Sequence, residues 1–278
     1  MTQSFKVHLS DGLMMGGVVD TVAELRDPTG HDEAIVTEPG DDTPAERVSA
    51  LIAALTLRIG DCERPSRERL LQLTAGDRER LLLAVAARLL GAEVDLVTSC
   101  PGCSNLAEIP VRFADLISIE AVAAPDRIEL ASHGGPWIAQ CRPATGADLE
   151  KAARSGAQGA RDLLVGCLLA LSDPAGQRQP ADALPDECAA ALADALASLD
   201  PAAECSAQIE CPFCAEKIEA LIDGFTIMRT AFGGPQRLYE DVYHMARAYH
   251  WSEAEILSLP LRRRRHYLSI ADGAGVAP

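Results

Sequence analysis

"TSCPGCSN" at 98–105 and "IECPFCAE" at 209–216 decide how this 278-residue chain is read. Each holds a Cys-Pro-x-Cys turn, with Cys100 and Cys103 in the first and Cys211 and Cys214 in the second. One such turn presents two thiolates to a metal ion. Two of them complete the tetrahedral four-sulfur shell of structural zinc. The flanking text supports a ribbon. "AEVDLVTSC" and "NLAEIPVRF" read as strands around the first pair, and "CSAQIECPFCAEKIEALIDG" repeats strand, knuckle, strand around the second. Compact ribbons separate their pairs by about 15–20 residues. Here 107 residues lie between Cys103 and Cys211, so the site is split across the chain. The expectation is one zinc ion on Cys100, Cys103, Cys211 and Cys214, tying distant segments together and adding to folding free energy.

Working outward, a second pattern accompanies the cysteines. "LRDPTGHDE" at 25–33 resembles "CRPATGADLE" at 141–150: arginine, proline, then Thr-Gly-x-Asp. Thr29 precedes Cys100 by 71 positions and Thr145 precedes Cys211 by 66. Thr-Gly-x-Asp is also an ordinary helix start, with a Thr cap and an acid in the first turn. That chemistry does not explain why both copies precede a cysteine pair, so an internal duplication is expected.

Two other readings of the cysteines stay open. "CPFC" before "AEKIEAL" looks like a glutaredoxin site, where a helix start lowers the first thiol's pKa and the chain acts as a dithiol oxidoreductase. The text after 223 is helical and lacks the βαβ continuation such a fold needs. The thiols could also be plain buried residues with no ion.

The bulk numbers bound the class. The chain is 48% hydrophobic and only 4% aromatic, with a formal net charge of −16. It can bury a core of small and medium side chains. Such an anion is a poor general partner for nucleic acid or anionic membrane. No apolar run reaches spanning length, and the start lacks a secretion-signal pattern. Nine cysteines in that setting argue for reduced thiols in the cytoplasm. Cys167 and Cys188 lie in Ala/Leu-rich text and read as small core residues.

Helical spacing is expected over 44–59, 73–91, 147–172, 186–199 and 235–249. Thr74 or Asp77 caps the second of these and Gly91 ends it. Residues 127–141 read as a hairpin. Ser252 and Glu255 form a capping box for a short helix ended by Pro260. The expected class is α+β, mostly helical, with a split zinc-ribbon-like four-Cys site and a duplication. The expected units are 1–140, 141–233 and a C-terminal helical module, 234–278.

No catalytic constellation emerges: the six histidines are dispersed, and phosphate loops and nucleophile elbows are absent. The C-terminal module draws attention instead. Tyr239, Tyr243, Tyr249 and Trp251 concentrate the chain's few large aromatics, and Arg262, Arg263, Arg264 and Arg265 follow. Aromatics and arginine carry binding energy at protein interfaces, so Tyr243, His244, Trp251 and Arg262–Arg265 are expected to bind an acidic protein partner. The competing readings are a local aromatic core, a solvated helix face, and a zinc-ribbon regulator using the arginines on nucleic acid.

"LTAGDRERLLLAVAARLLGAEVDLVTSCPGC" resembles a shared segment of the T-even-type phage baseplate hub assembly chaperones. "LYEDVYHMARAYHWSEAEILSLPLRRRRHYL" resembles the tail of related proteins found beside tail genes of phages and contractile injection systems. The matching positions are Leu73, Thr74, Asp77, Arg78 and the four cysteines. They continue with His244, Ala248, Tyr249, Trp251, Ser252, Glu253, Glu255, Ile256, Leu257, Arg263, Arg264 and Tyr267. They cover about a third of the chain. The resemblance implies a non-enzymatic role in tail assembly, with baseplate or tail hub proteins as partners. It leaves open whether the protein leaves the particle or stays in it.

Overall fold

A computed structural model describes residues 4–118, 125 and 127–271. It mixes helix and sheet, 48% helical and 28% strand. The chain opens with a long hairpin, β1 (Ser4–Met15) and β2 (Val18–Arg26). Along β1, Val7, Leu9 and Leu13 face the core, and the pairing with β2 shifts register between His8 and Leu13. Two helices follow, α1 (Gly30–Thr37) and α2 (Pro44–Leu55). The chain then returns to the sheet as β3 (Thr56–Ile59) and β4 (Cys62–Glu63), in the antiparallel order β1-β2-β3-β4.

A short α3 (Arg67–Leu70) leads to α4 (Ala75–Leu90). The Thr74 hydroxyl accepts the Asp77 N–H at 3.2 Å, and Gly91 ends the helix at φ 107°, where a side chain would be strained. Leu81, Leu82, Val85 and Ala86 bury the inner face of α4. The first cysteine hairpin comes next, β5 (Glu93–Ser99) and β6 (Leu106–Arg112), and then α5 (Phe113–Ile117).

The order then recurs. A hairpin of β7 (Ile128–Leu130) and β8 (Trp137–Cys141) precedes α6 (Gly146–Arg154) and α7 (Gly159–Cys167). β9 (Leu168–Ser172) and β10 (Arg178–Gln179) complete a sheet in the order β7-β8-β9-β10. The helix α8 (Ala189–Leu199), the second cysteine hairpin β11 (Cys205–Glu210) and β12 (Lys217–Ile222), and α9 (Gly224–Phe232) follow. The register slips at matching places in the two sheets. Leu25 pairs with Thr56 after a shift, and Cys141 pairs with Leu168 after a shift. The C-terminal module is α10 (Pro235–Tyr249), α11 (Glu253–Leu257) and α12 (Leu261–Ala271); its residues 272–278 lie outside the described residues.

The main core joins β1, β2, α1, α2 and α4 to β6, β11, β12 and α9, with Leu25, Leu51, Leu81, Ile109, Ile222 and Met228 among its buried members. A smaller core forms under the second sheet from Leu130, Ala139, Cys141, Leu171, Cys188 and Leu192. The second cysteine hairpin thus packs on the main core. Cys167 and Cys188 are buried as expected.

Three expectations change. Residues 168–172 are a strand, not the end of a helix, because Leu168 and Leu171 pair with β8. The same holds for 56–59 beside β2. The sheet of the second half begins at Ile128, so 141 does not divide the two units. Among the described residues no helix is long and apolar enough to cross a membrane.

Candidate metal centre

Both Cys-Pro-x-Cys segments are the tips of β-hairpins. In the first, the Cys100 N–H donates to Asn105 C=O and the Ser104 N–H to Cys100 C=O, each at 2.9 Å. In the second, the Cys211 N–H donates to Glu216 C=O at 2.8 Å and the Ala215 N–H to Cys211 C=O at 2.9 Å. Ser104 and Ala215 occupy the same left-handed conformation, φ 59° and 61°. The two turns are therefore the same turn, built from different side chains.

The tips meet. The Sγ atoms of Cys100 and Cys214 lie 3.6 Å apart and those of Cys103 and Cys211 3.7 Å apart, with all four ligand atoms within 4.8 Å of one another. Tetrahedral zinc with sulfur at about 2.3 Å places its ligands about 3.8 Å apart. The residues present fit that shell. The Gly102 N–H and the Asn105 side-chain amide point at Cys100 and Cys103, each at 3.4 Å, as donors to thiolate. A Cβ at Gly102 would lie 3.3 Å from the Glu216 side chain, so the approach of the two tips leaves little room for anything larger there. Cys100 and Cys211 are buried, Cys103 is half-buried and Cys214 is exposed, so the centre sits at the surface with one side open. Ala107, Ile218 and Ile209 form its apolar floor.

The electrostatics favour a cation. Burial pushes Cys211 up, but N–H donors of Phe213 and Cys214 and the thiols of Cys100 and Cys103 outweigh it and bring it to about 7. The Glu216 N–H favours a Cys214 thiolate, yet desolvation and the three neighbouring thiols push it to about 12. Four thiolates this close repel one another, and a divalent ion removes that repulsion. The glutaredoxin-like context is not built: Cys214 leads into a turn and then β12, not into a helix.

The structure divides the expected partner-binding residues. Tyr243 is 56% exposed, with the exposed His244 edge-on to it at 5.5 Å. Trp251 stacks on Tyr249 at 5.0 Å and meets the edge of Tyr267 at 5.1 Å, and the Tyr249 hydroxyl donates to Tyr267 C=O. It belongs to a local aromatic cluster. In helical register the arginine run also splits. Arg262 and Arg263 are exposed, with Arg263 lying over the Tyr267 ring. Arg265 is half-buried and donates to Ala231 C=O. Arg264 is fully buried, paired with Glu33 and, at 3.1 Å, with Asp241, so it cannot serve a free docking face.

Arg264 marks a feature that sequence reasoning missed. It lies over the first Thr-Gly-x-Asp motif, where a Cβ on Gly30 would fall 2.6 Å from its Nη1 and 2.9 Å from Leu257 Cα. Arg78 lies over the second motif in the same way, against Gly146. The motifs themselves match. Arg26 clasps Asp32 and Arg142 clasps Asp148 through paired hydrogen bonds of 2.6–3.0 Å, and Thr29 and Thr145 donate to the same carboxylates.

The segments that cover them match too. The Ala75 N–H donates to Ala144 C=O at 2.7 Å, and the Leu261 N–H to Pro28 C=O at 3.3 Å. Thr74 bridges Thr145, and Pro260 bridges Thr29. The signal was present in the sequence. Ser66, Leu70, Leu71, Leu73 and Arg78 recur at the same spacing as Ser252, Ile256, Leu257, Leu259 and Arg264. Each Thr-Gly-x-Asp turn is thus a socket, and each Ser-to-Arg segment the plug that fills it. No family model matches the chain, and neither curated proteins nor solved structures give a significant match.

Proposed function

We propose that the chain is a non-enzymatic, zinc-stapled assembly factor or minor baseplate component of a contractile phage tail or phage-like injection system. The observation that carries the zinc is the convergence of two identical turns, distant in sequence, with sulfurs 3.6–3.7 Å apart. An internal duplication is part of this reading. The recurring element order, the matched register shifts and the paired Arg–Asp clasps support it.

The assembly role rests on the resemblance of Leu73–Arg78 and His244–Tyr267 to tail-cluster proteins. Those two segments overlap the two plugs, whose buried arginines Arg78 and Arg264 are held in structural contacts. Deleting the gene in a cell that makes the particle tests the role. The expected result under electron microscopy is tubes without baseplates. Normal yield of complete particles overturns the assignment.

A further inference from the structure

We propose that the groove between the open edges of β5 and β12 binds an extended apolar segment of a partner protein, flanked by lysine or arginine, through strand addition. The groove has a volume of about 690 Å³ and is floored by α9. Val94, Leu96, Val97, Leu221 and Ile227 supply its apolar walls. Leu221 is 76% exposed and Val97 61%, although both sit on regular strands. Isolated apolar side chains need no explanation, but two converging on one groove do.

The backbone points to the same occupant. β5 pairs only with β6, and β12 only with β11, among the described residues. Each hairpin therefore offers a second, unpaired edge of N–H and C=O groups. A strand laid between them gains main-chain hydrogen bonds, and its alternate side chains enter the apolar walls. The hairpins are held at their tips by the cysteine cluster, which fixes the separation of the two edges. Binding in this groove requires no reaction there and no role in a particle.

Charge selects the partner. Asp95 and Asp223 are the charged residues that line the groove, both acidic, in a chain of net charge −16. A second copy offering the same edge would set like charges together, which is unfavourable. A segment with flanking lysines is steered in and held in register.

Fluorescence anisotropy with the full chain tests this, using labelled Lys-Val-Thr-Val-Lys-Val-Lys as the probe. Two controls accompany it: the same peptide with glutamate for lysine, and one with glycine for valine. Saturable binding is expected for the first peptide alone. Leu221→Asp and Val97→Asp should each weaken it about tenfold or more, with melting temperature and metal content unchanged. Asp95→Lys should shift preference toward the glutamate peptide; Asp223 is left in place because it caps α9. Equal binding of the glycine control, binding indifferent to both apolar-to-Asp variants, or no saturable binding of the valine peptide overturns the proposal. Because metal content is read separately, loss of peptide binding is distinguishable from loss of the staple.

Discussion

The cysteine centre and the plug–socket junctions both join segments far apart in sequence, by opposite means. At the centre, four short side chains converge on a point with room for one ion. At the junctions, one long arginine reaches from a plug helix over a socket glycine. The first device is written in a spacing, because a Cys-x-x-Cys turn has one geometry. The second is written in helical phase: of four consecutive arginines only Arg264 is fully buried, and the run alone does not say which.

The two junctions also differ from each other. Arg264 meets two carboxylates, Glu33 and Asp241. Arg78 makes one hydrogen bond, to the Ser49 hydroxyl at 2.8 Å, and leaves its Nε and Nη1 without partners. Burial, opposed by Glu150 nearby, drives its pKa down to about 10. The same backbone contact is thus compensated well at one site and thinly at the other.

The largest effect that sharpens this comparison is loss of the staple. Cys100→Ser should remove the metal and cost several kcal/mol, since the ion's binding energy is folding energy; chelator titration followed by circular dichroism measures it. Next is Arg264→Met. Leaving Glu33 buried without its partner should cost about 3–5 kcal/mol in denaturant unfolding. Arg78→Met should be milder, within about 1–2 kcal/mol, because no paired carboxylate is abandoned. Equal costs would break the distinction between the junctions.

Smaller effects follow at the glycines. Gly30→Ala should cost about 1–3 kcal/mol, because a methyl group there meets the Leu257 backbone. Gly146→Ala should cost less, since it meets only the Arg78 side chain and no backbone. The smallest effect is a slope. Burial raises Glu33 above its ordinary 4.5, against the downward pull of Arg264. The folded state therefore holds that proton to higher pH than the unfolded state does. Stability falls as pH rises above about 4.5, through the raised folded value. Glu33→Gln should flatten that part of the stability–pH curve. An unchanged slope would show that Glu33 ionises normally.

Much of this was legible beforehand. The knuckles, the helix from Thr74 to Gly91 and the hairpin ending at Cys141 follow from local rules of turns, caps and alternation. The opening hairpin is not legible in the sequence. Its period-2 signal, Val7, Leu9 and then Leu13, is interrupted by the polar Asp11, and Asp77 holds that interruption by accepting N–H bonds from Ser10, Asp11 and Gly12. Such a partner lies more than sixty residues away and leaves no local trace. "LLALS" at 168–172 misled for another reason: a short apolar run has no period of its own, and only pairing with β8 makes it a strand. At the C-terminus, composition favoured a binding face, whereas helical phase put Arg264 in the interior and Trp251 in a local stack.

The central claim is that two distant turns hold one ion. Metal analysis of protein purified without chelator, paired with thiol titration, tests it most directly. The account predicts about one zinc per chain, with Cys100, Cys103, Cys211 and Cys214 unreactive until chelator is added. Protein that carries no zinc, and whose four thiols react at once, would contradict it.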